Sequence, residues 1–367
     1  MNRNLWIVAS AGLSLLVVAT ADARELKINS WLPPRAIETR MQEDMLKDLA
    51  KATNNSVTGK VFAGGQLLGA RASLSGIRDG VVDGGFIVPT INSSELKHTV
   101  VVHNLLPYSL HPYAAAAAAL ETIMVGCAEC KADWSKQNAV YIGGHAATSW
   151  NVMCTGQISR LDDLKGKKIR VTGQSATRLV KALGMVAVNL TPPEMAPGLQ
   201  GGQIDCVVGY KAWLIDYAML DTVKTVIDYP LGTYAGLGLV VMNRKSFDAL
   251  SAAERKALLD LQPAYVVRGI RDYESQDKLA SEKGKAKGIK FIAAPKDFVA
   301  AVAKYRAEDI PNIVADLKKL GVADADTLVK NHLAMLEKWD KLVAGTKGDP
   351  KAYEALLRKE IYSKANF

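Results

Sequence analysis

Metal-binding and nucleophilic side chains are scarce: five His and four Cys are scattered through 367 residues. His98, His103, His111, His145 and His332 fall in no H-E-x-x-H or Cys–His spacing, so no metal site is expected. The chain also lacks a G-x-S-x-G elbow, a G-x-x-x-x-G-K-[ST] loop and a G-x-G-x-x-G run after a strand. Hydrolase, phosphate-loop and dinucleotide chemistry thus miss their minimal parts, and no cofactor is expected. Gly64-Gly65 followed by Gly69 has neither the Lys nor the Ser/Thr of a phosphate loop and reads as a turn. No internal repeat and no low-complexity linker is present. Basic residues (46) exceed acidic ones (37) for a net charge of +9, but they are dispersed among acids instead of forming a stripe. That excludes a nucleic-acid footprint and leaves a mild attraction for anions.

What is present is apolar bulk, 49% of the residues, enough for about two domains with cores of their own. One long apolar run exists, Leu5 to Ala19, preceded by Arg3 and followed by Ala21-Asp22-Ala23. It is shorter than the roughly 20 residues a spanning helix needs, and its flanks are those of a secretory signal cleaved after Ala23. Residues 1–23 hold one Arg and one Asp, so the mature chain keeps its charge, and neither membrane insertion nor cytoplasmic residence is expected of it. In an exported chain four Cys are compatible with two disulfides. Cys127-Ala128-Glu129-Cys130 lacks a thioredoxin-like setting and reads as a local bridge or two thiols, while Cys154 and Cys206 are buried thiols or a pair.

Periodicity gives two α/β units. Strands are expected at Leu26–Trp31, Val57–Phe62 and Phe86–Val88, with helices from Thr39 to about Asn54 and from Ala70 to Arg78. The same grammar returns at Trp150–Ile158, Lys168–Val171, Ala187–Leu190, Cys206–Gly209 and Leu237–Met242, with a helix capped by Ser175. The alternation argues mostly parallel sheets covered by helices. Beyond Asn243 the chain reads as helical, opened by the capping box Ser251-Ala252-Ala253-Glu254 and carrying Pro263 as a kink. With no linker between the units, the chain is expected to cross between lobes more than once and leave a cleft at the crossing.

One constellation suits an anion. Arg170 ends a short strand, and the following loop opens a helix, so a guanidinium fork and a helix start converge. Alone this is weak, because a strand-end Arg is ordinarily a solvated residue.

The segments Phe62-Ala63-Gly64-Gly65-Gln66-Leu67-Leu68-Gly69, Ile77-Arg78-Asp79-Gly80-Val81-Val82-Asp83-Gly84 and Leu161-Asp162-Asp163-Leu164-Lys165-Gly166-Lys167-Lys168-Ile169-Arg170-Val171 carry more. With Leu199-Gln200-Gly201-Gly202-Gln203-Ile204-Asp205 and Val241-Met242-Asn243, they run in family-like order over the mature chain. The chain resembles the extracytoplasmic solute receptors of tripartite ATP-independent periplasmic (TRAP) transporters, of the dicarboxylate-receptor (DctP) type. The resemblance implies an α/β periplasmic-binding-protein fold of two hinged lobes, with a long helix spanning both. It places lobe I at 24–147, completed by roughly 240–265, lobe II at 148–239, and C-terminal helices at 266–367 packing on both. It implies a periplasmic receptor, not an enzyme, that closes on a small organic acid and delivers it to TRAP membrane permease subunits. Arg170 becomes the residue expected to pair with the ligand carboxylate.

Departures from the family pattern bear on the ligand. Trp150 stands sixteen residues before Gly166, where many relatives carry a second Arg, Trp31 replaces a polar residue after the first strand, and Val88 stands where some relatives place Glu. Asp205 is followed by Cys206-Val207-Val208-Gly209-Tyr210 instead of a Gly-x-x-Asn run. Trp31, Val88, Trp150, Tyr210, Trp213 and Tyr234 are therefore expected to line the site with Arg170, although Trp213 also fits plain core at helical spacing from Ile215 and Met219. Such a lining favours one carboxylate on an apolar or aromatic body over a C4-dicarboxylate or another small polar acid, since a second buried charge would lack a partner. For an enzyme acting on an organic acid, the nearby Glu194 and Asp205 have neither nucleophile nor metal beside them.

Overall fold

The computed structural model describes residues 23–367; the expected leader lies outside the described residues except for Ala23. Eleven strands are described: β1 (Arg24–Asn29), β2 (Val57–Phe62), β3 (Gly84–Ile87), β4 (Ala139–Tyr141), β5 (Asn151–Cys154), β6 (Lys168–Val171), β7 (Val186–Asn189), β8 (Cys206–Gly209), β9 (Thr225–Asp228), β10 (Gly238–Asn243) and β11 (Lys290–Ala293). They form a sheet of order β2-β1-β3-β10-β4 in the first lobe and one of order β11-β9-β5-β8-β6-β7 in the second.

The sheets are mostly parallel as expected, but each contains one reversed strand. β10 runs antiparallel to β3 and β4, and β5 runs antiparallel to β8 and β9. Both are the first strand laid down after the chain crosses from the other lobe. A strand arriving through the hinge enters its sheet at the cleft end, where its parallel neighbours finish, so it must run the opposite way. The crossing segments lie side by side, joined by bridges between His145 and Leu237 and between Ser149 and Thr233.

The helix Ala252–Ala286 opens on the expected capping box and runs unbroken through Pro263. It packs on helix Ile37–Ala52 and helix Pro112–Glu121 of the first lobe and on helix Trp213–Asp216 and β11 of the second, so it spans both. Two expectations for the C-terminal part need correction. The boundary placed near 265 falls inside this one helix, and the region beyond it is not all helical, because β11 adds an edge strand to the second sheet beside β9. β11 is short and half exposed, which hides it among the flanking helical runs.

Ser175 is also corrected. Gly173 takes the N-cap position at φ +83°, a left-handed conformation costly for a side-chain residue, so the helix begins at Gln174 and Ser175 lies inside its first turn with its hydroxyl buried and unpartnered. The cysteines pair as Cys127–Cys130 and Cys154–Cys206. Cys154 and Cys206 face each other across β5 and β8, and a bridge spanning 52 positions stabilises by roughly 4 kcal/mol through chain entropy. Cys127 serves a local role, its sulfur accepting from Cys130 N at the helix start. Among the described residues no single helix is long and apolar enough to cross a membrane.

Candidate functional site

The parallel strands of both sheets point their C-terminal ends at the cleft, the usual binding position in α/β folds. Trp31 follows β1, Val88 follows β3, Thr172 follows β6 and Tyr210 follows β8; Trp150 precedes the reversed β5 and Leu237 the reversed β10. Together they line a narrow cavity of about 40 Å³ between the lobes, tighter than an occupied small-molecule pocket. All seven residues singled out in the sequence line it: Trp31, Val88, Trp150, Arg170, Tyr210, Trp213 and Tyr234.

The walls are rings in mutual contact. Trp150 stacks on Tyr234 at 5.1 Å between centroids, Tyr210 meets Trp213 and Tyr273 edge-on at 4.8 Å each, and Trp31 packs on Phe86 at 5.4 Å. Such pairs contribute about 0.5–1.5 kcal/mol each beyond the area they bury, which stiffens the walls. Trp31 is further fixed by its indole N–H donating to Phe86 O at 3.0 Å. Trp213 is not plain core: its ring lies 5.2 Å from the Arg170 guanidinium carbon, in cation–π position.

Arg170 is 1% exposed. Its Nε donates to Leu190 O at 2.7 Å and its Nη2 to Thr172 Oγ1 at 2.6 Å, while Nη1 has no partner. Both accepting groups are neutral, so the fork is aimed without being neutralised. Burial accordingly pulls its pKa down to about 10, which leaves it charged at neutral pH. A buried cation with a free donor on a pocket wall is arranged to take an anionic oxygen.

Several wall residues escaped the sequence reading. Glu38, Phe86, Tyr217 and Tyr273 line the space, and Glu38, 4% exposed, accepts from Tyr273 Oη at 2.6 Å. Glu38 sits in the first turn of helix Ile37–Ala52, where an acid ordinarily serves the helix dipole, and Tyr273 shows the spacing of a core residue, so neither carried a signal of its own. The two acids weighed for catalysis are otherwise engaged. Glu194 caps its own turn by accepting from Thr191 N at 2.6 Å, and Asp205 accepts from Lys168 N at 2.7 Å.

Two α/β lobes closing over a buried cavity at the strand ends define the periplasmic type of solute-binding protein. Within that class, the family model for bacterial extracellular solute-binding protein, family 7 (DctP), matches residues 28–315, and the chain belongs to that family of TRAP solute receptors. A TRAP solute-binding protein from Rhodoferax ferrireducens, solved with copurified benzoate, has the same fold at TM-score 0.76 and 20% identity, over 87% of this chain and 99% of that one. One from Bordetella bronchiseptica, with bound mandelate, gives TM-score 0.73 and 22% identity over 86% and 99%. A Bordetella pertussis receptor binding pyroglutamic acid gives 0.71 and 20% over 84% and 99%. By sequence, the outer membrane transporter protein TsaT of Comamonas testosteroni is 28% identical over 147 residues, 39% of this chain; the match spans 43% of that protein, less than half its length.

Proposed function

We propose that this chain is the periplasmic receptor of a TRAP transporter. It captures a monocarboxylate with an aromatic or other apolar body, closes its lobes on it, and presents it to the membrane permease. The observation that carries this reading is the unpartnered Nη1 of Arg170 in a cavity walled mostly by aromatic and aliphatic side chains. Among the described residues lining that cavity Arg170 is the one cation, so one carboxylate can be paired and a second would stay buried without a partner, at a cost of several kcal/mol. The ligands of the Rhodoferax and Bordetella bronchiseptica proteins, benzoate and mandelate, are of this kind. Receptor and not enzyme is the reading because Glu194 and Asp205 are held in turns and bring no nucleophile to Arg170. A small polar acid is the second reading; it draws on Glu38, whose carboxylate could accept from a ring N–H such as that of pyroglutamate, the ligand of the Bordetella pertussis receptor.

A thermal-shift and calorimetric panel of benzoate, mandelate, pyroglutamate, succinate, malate and sialic acid tests this. Aromatic monocarboxylates should bind tightest, a ligand at 100 times its Kd stabilising by about 2.7 kcal/mol, and Trp150→Ala should weaken them about tenfold while sparing the polar acids. Succinate or malate in first place, with Trp150→Ala without effect, would overturn the ring-walled reading. Turnover of any acid would overturn the receptor reading itself.

A further inference from the structure

A pocket built for an anion should not contain a carboxylate, yet Glu38 lines it. The contradiction is resolved if Glu38 meets a part of the ligand remote from its charge. Arg170 comes from β6 of the second lobe, Glu38 from the helix that follows β1 in the first. Between them the wall runs from Arg170 through Trp213, Tyr210 and Tyr273 to Glu38, ring against ring. Arg170 and Glu38 form no ion pair with each other; each has its own, separate partners.

Glu38 is incompletely satisfied. Oε1 accepts from Tyr273, and the nearest cationic candidate, His145 Nε2, stands 3.6 Å from the same oxygen, beyond hydrogen-bond length. Oε2 accepts no hydrogen bond from the described residues and is not sealed from solvent, Glu38 as a whole being 4% exposed. His145 is 1% exposed, and both its ring nitrogens lack a partner. A carboxylate oxygen that faces the cavity without a protein donor can take a hydrogen bond from a ligand group that replaces its water, and that group must be a donor. Among the described lining residues none donates to it, so a donor carried on the ligand would complete it.

We infer that Glu38 is a specificity-determining residue that selects aromatic monocarboxylates bearing a hydrogen-bond donor, a phenolic hydroxyl or ring amino group, at the end of the ring away from the carboxylate. The ligand would then bridge the lobes by its two ends, carboxylate on Arg170 and donor on Glu38, with rings along its flanks. This rests on the aromatic-monocarboxylate reading above. Sites that must pair a substrate donor discriminate strongly against analogues lacking it, because the protein's polar group is otherwise left bare.

Calorimetric titration of the mature protein with benzoate, 3-hydroxybenzoate and 4-hydroxybenzoate tests it, alongside Glu38→Gln and Glu38→Ala, each checked for folding by thermal melting. One hydroxylated isomer should bind wild type at least about tenfold tighter than benzoate. That ratio should shrink in Glu38→Gln and approach one in Glu38→Ala, while benzoate itself binds no more weakly, because a like charge has gone. A merely structural Glu38 would lower stability and weaken all three acids alike, leaving the ratio unchanged, and that result overturns the inference. Binding of benzoate with no hydroxyl preference in wild type overturns it alone; absence of binding by all three overturns the aromatic reading and the inference together.

Discussion

Arg170 and Arg178 are successive arginines in the second lobe, both largely withdrawn from water, and they are treated in opposite ways. Arg178 has two carboxylates: its Nε and Nη2 bond Asp309 at 2.8 and 3.0 Å and its Nη1 bonds Asp316 at 2.5 Å, with Tyr305 Oη completing Asp309 at 2.6 Å. Arg170 has none, only a hydroxyl and a carbonyl. The paired arginine joins elements. It ties helix Gln174–Ala182 to helix Ile310–Lys319, which packs on Ala325–Gly345 and through it on helix Pro112–Glu121 of the first lobe. The unpaired one stands at a cavity. In a protein interior a charge is expected to be paired, and the pairing withheld from Arg170 is what supports the ligand role proposed for it.

Exchanging the partners' roles breaks the comparison most severely at Arg170. Arg170→Ala should cost about 2–5 kcal/mol of acid binding, roughly 30- to several-thousand-fold in Kd, because the ligand carboxylate would be buried without its cation. The unliganded protein should melt no lower than wild type, since the removed charge was buried without a counter-charge. Calorimetry and thermal melting on one preparation check both; unaltered affinity would place the carboxylate elsewhere.

Arg178→Ala should do the reverse. It leaves Asp309, 1% exposed, buried and unpaired, and should lower stability by about 2–4 kcal/mol while changing acid affinity far less. Asp309→Asn added to Arg178→Ala should recover part of that loss, since the stranded charge is then gone. Urea unfolding of the two variants checks it; a large affinity loss with stability intact would contradict the structural role.

The same contrast explains what could be read from sequence. Val57–Phe62, Lys168–Val171 and Cys206–Gly209 are legible because they are apolar runs bounded by turns, and they fall where expected. Arg170 is legible as a strand-end Arg inside a family segment. Its unpartnered state is not, because whether a neighbour pairs with it depends on where Asp and Glu side chains fall after folding. β9 and β11 are short, and their pairing spans the whole helix Ala252–Ala286, so local pattern could not join them. Tyr217 and Tyr273 carried no signal in the sequence, because a pocket-lining ring and a core ring share the same local spacing; only the approach of the two lobes makes them differ.

Asp216 offers a third, milder version of the comparison, an acid without a paired cation. It is 2% exposed, accepts from Gln276 Nε2 at 2.9 Å, and receives Arg35 only at its backbone carbonyl. Burial, and then repulsion from Glu38, raise its pKa to about 7. The folded state therefore holds this proton more tightly than the unfolded chain, whose Asp titrates near 3.8. Over pH 4 to 7 the native form binds more protons than the unfolded, so stability contributed here falls as pH rises through that window and is flat above it. Asp216→Asn keeps an acceptor for Gln276 and does not titrate. Its advantage over wild type should be absent near pH 4, grow to about 4 kcal/mol by pH 8, and stay level beyond. Urea unfolding of both proteins at pH 5, 6, 7 and 8 measures it. A difference that does not change with pH would show that Asp216 is ionised throughout, its charge relieved by Arg35 and Arg40, whose opposing pull on its pKa would then outweigh burial.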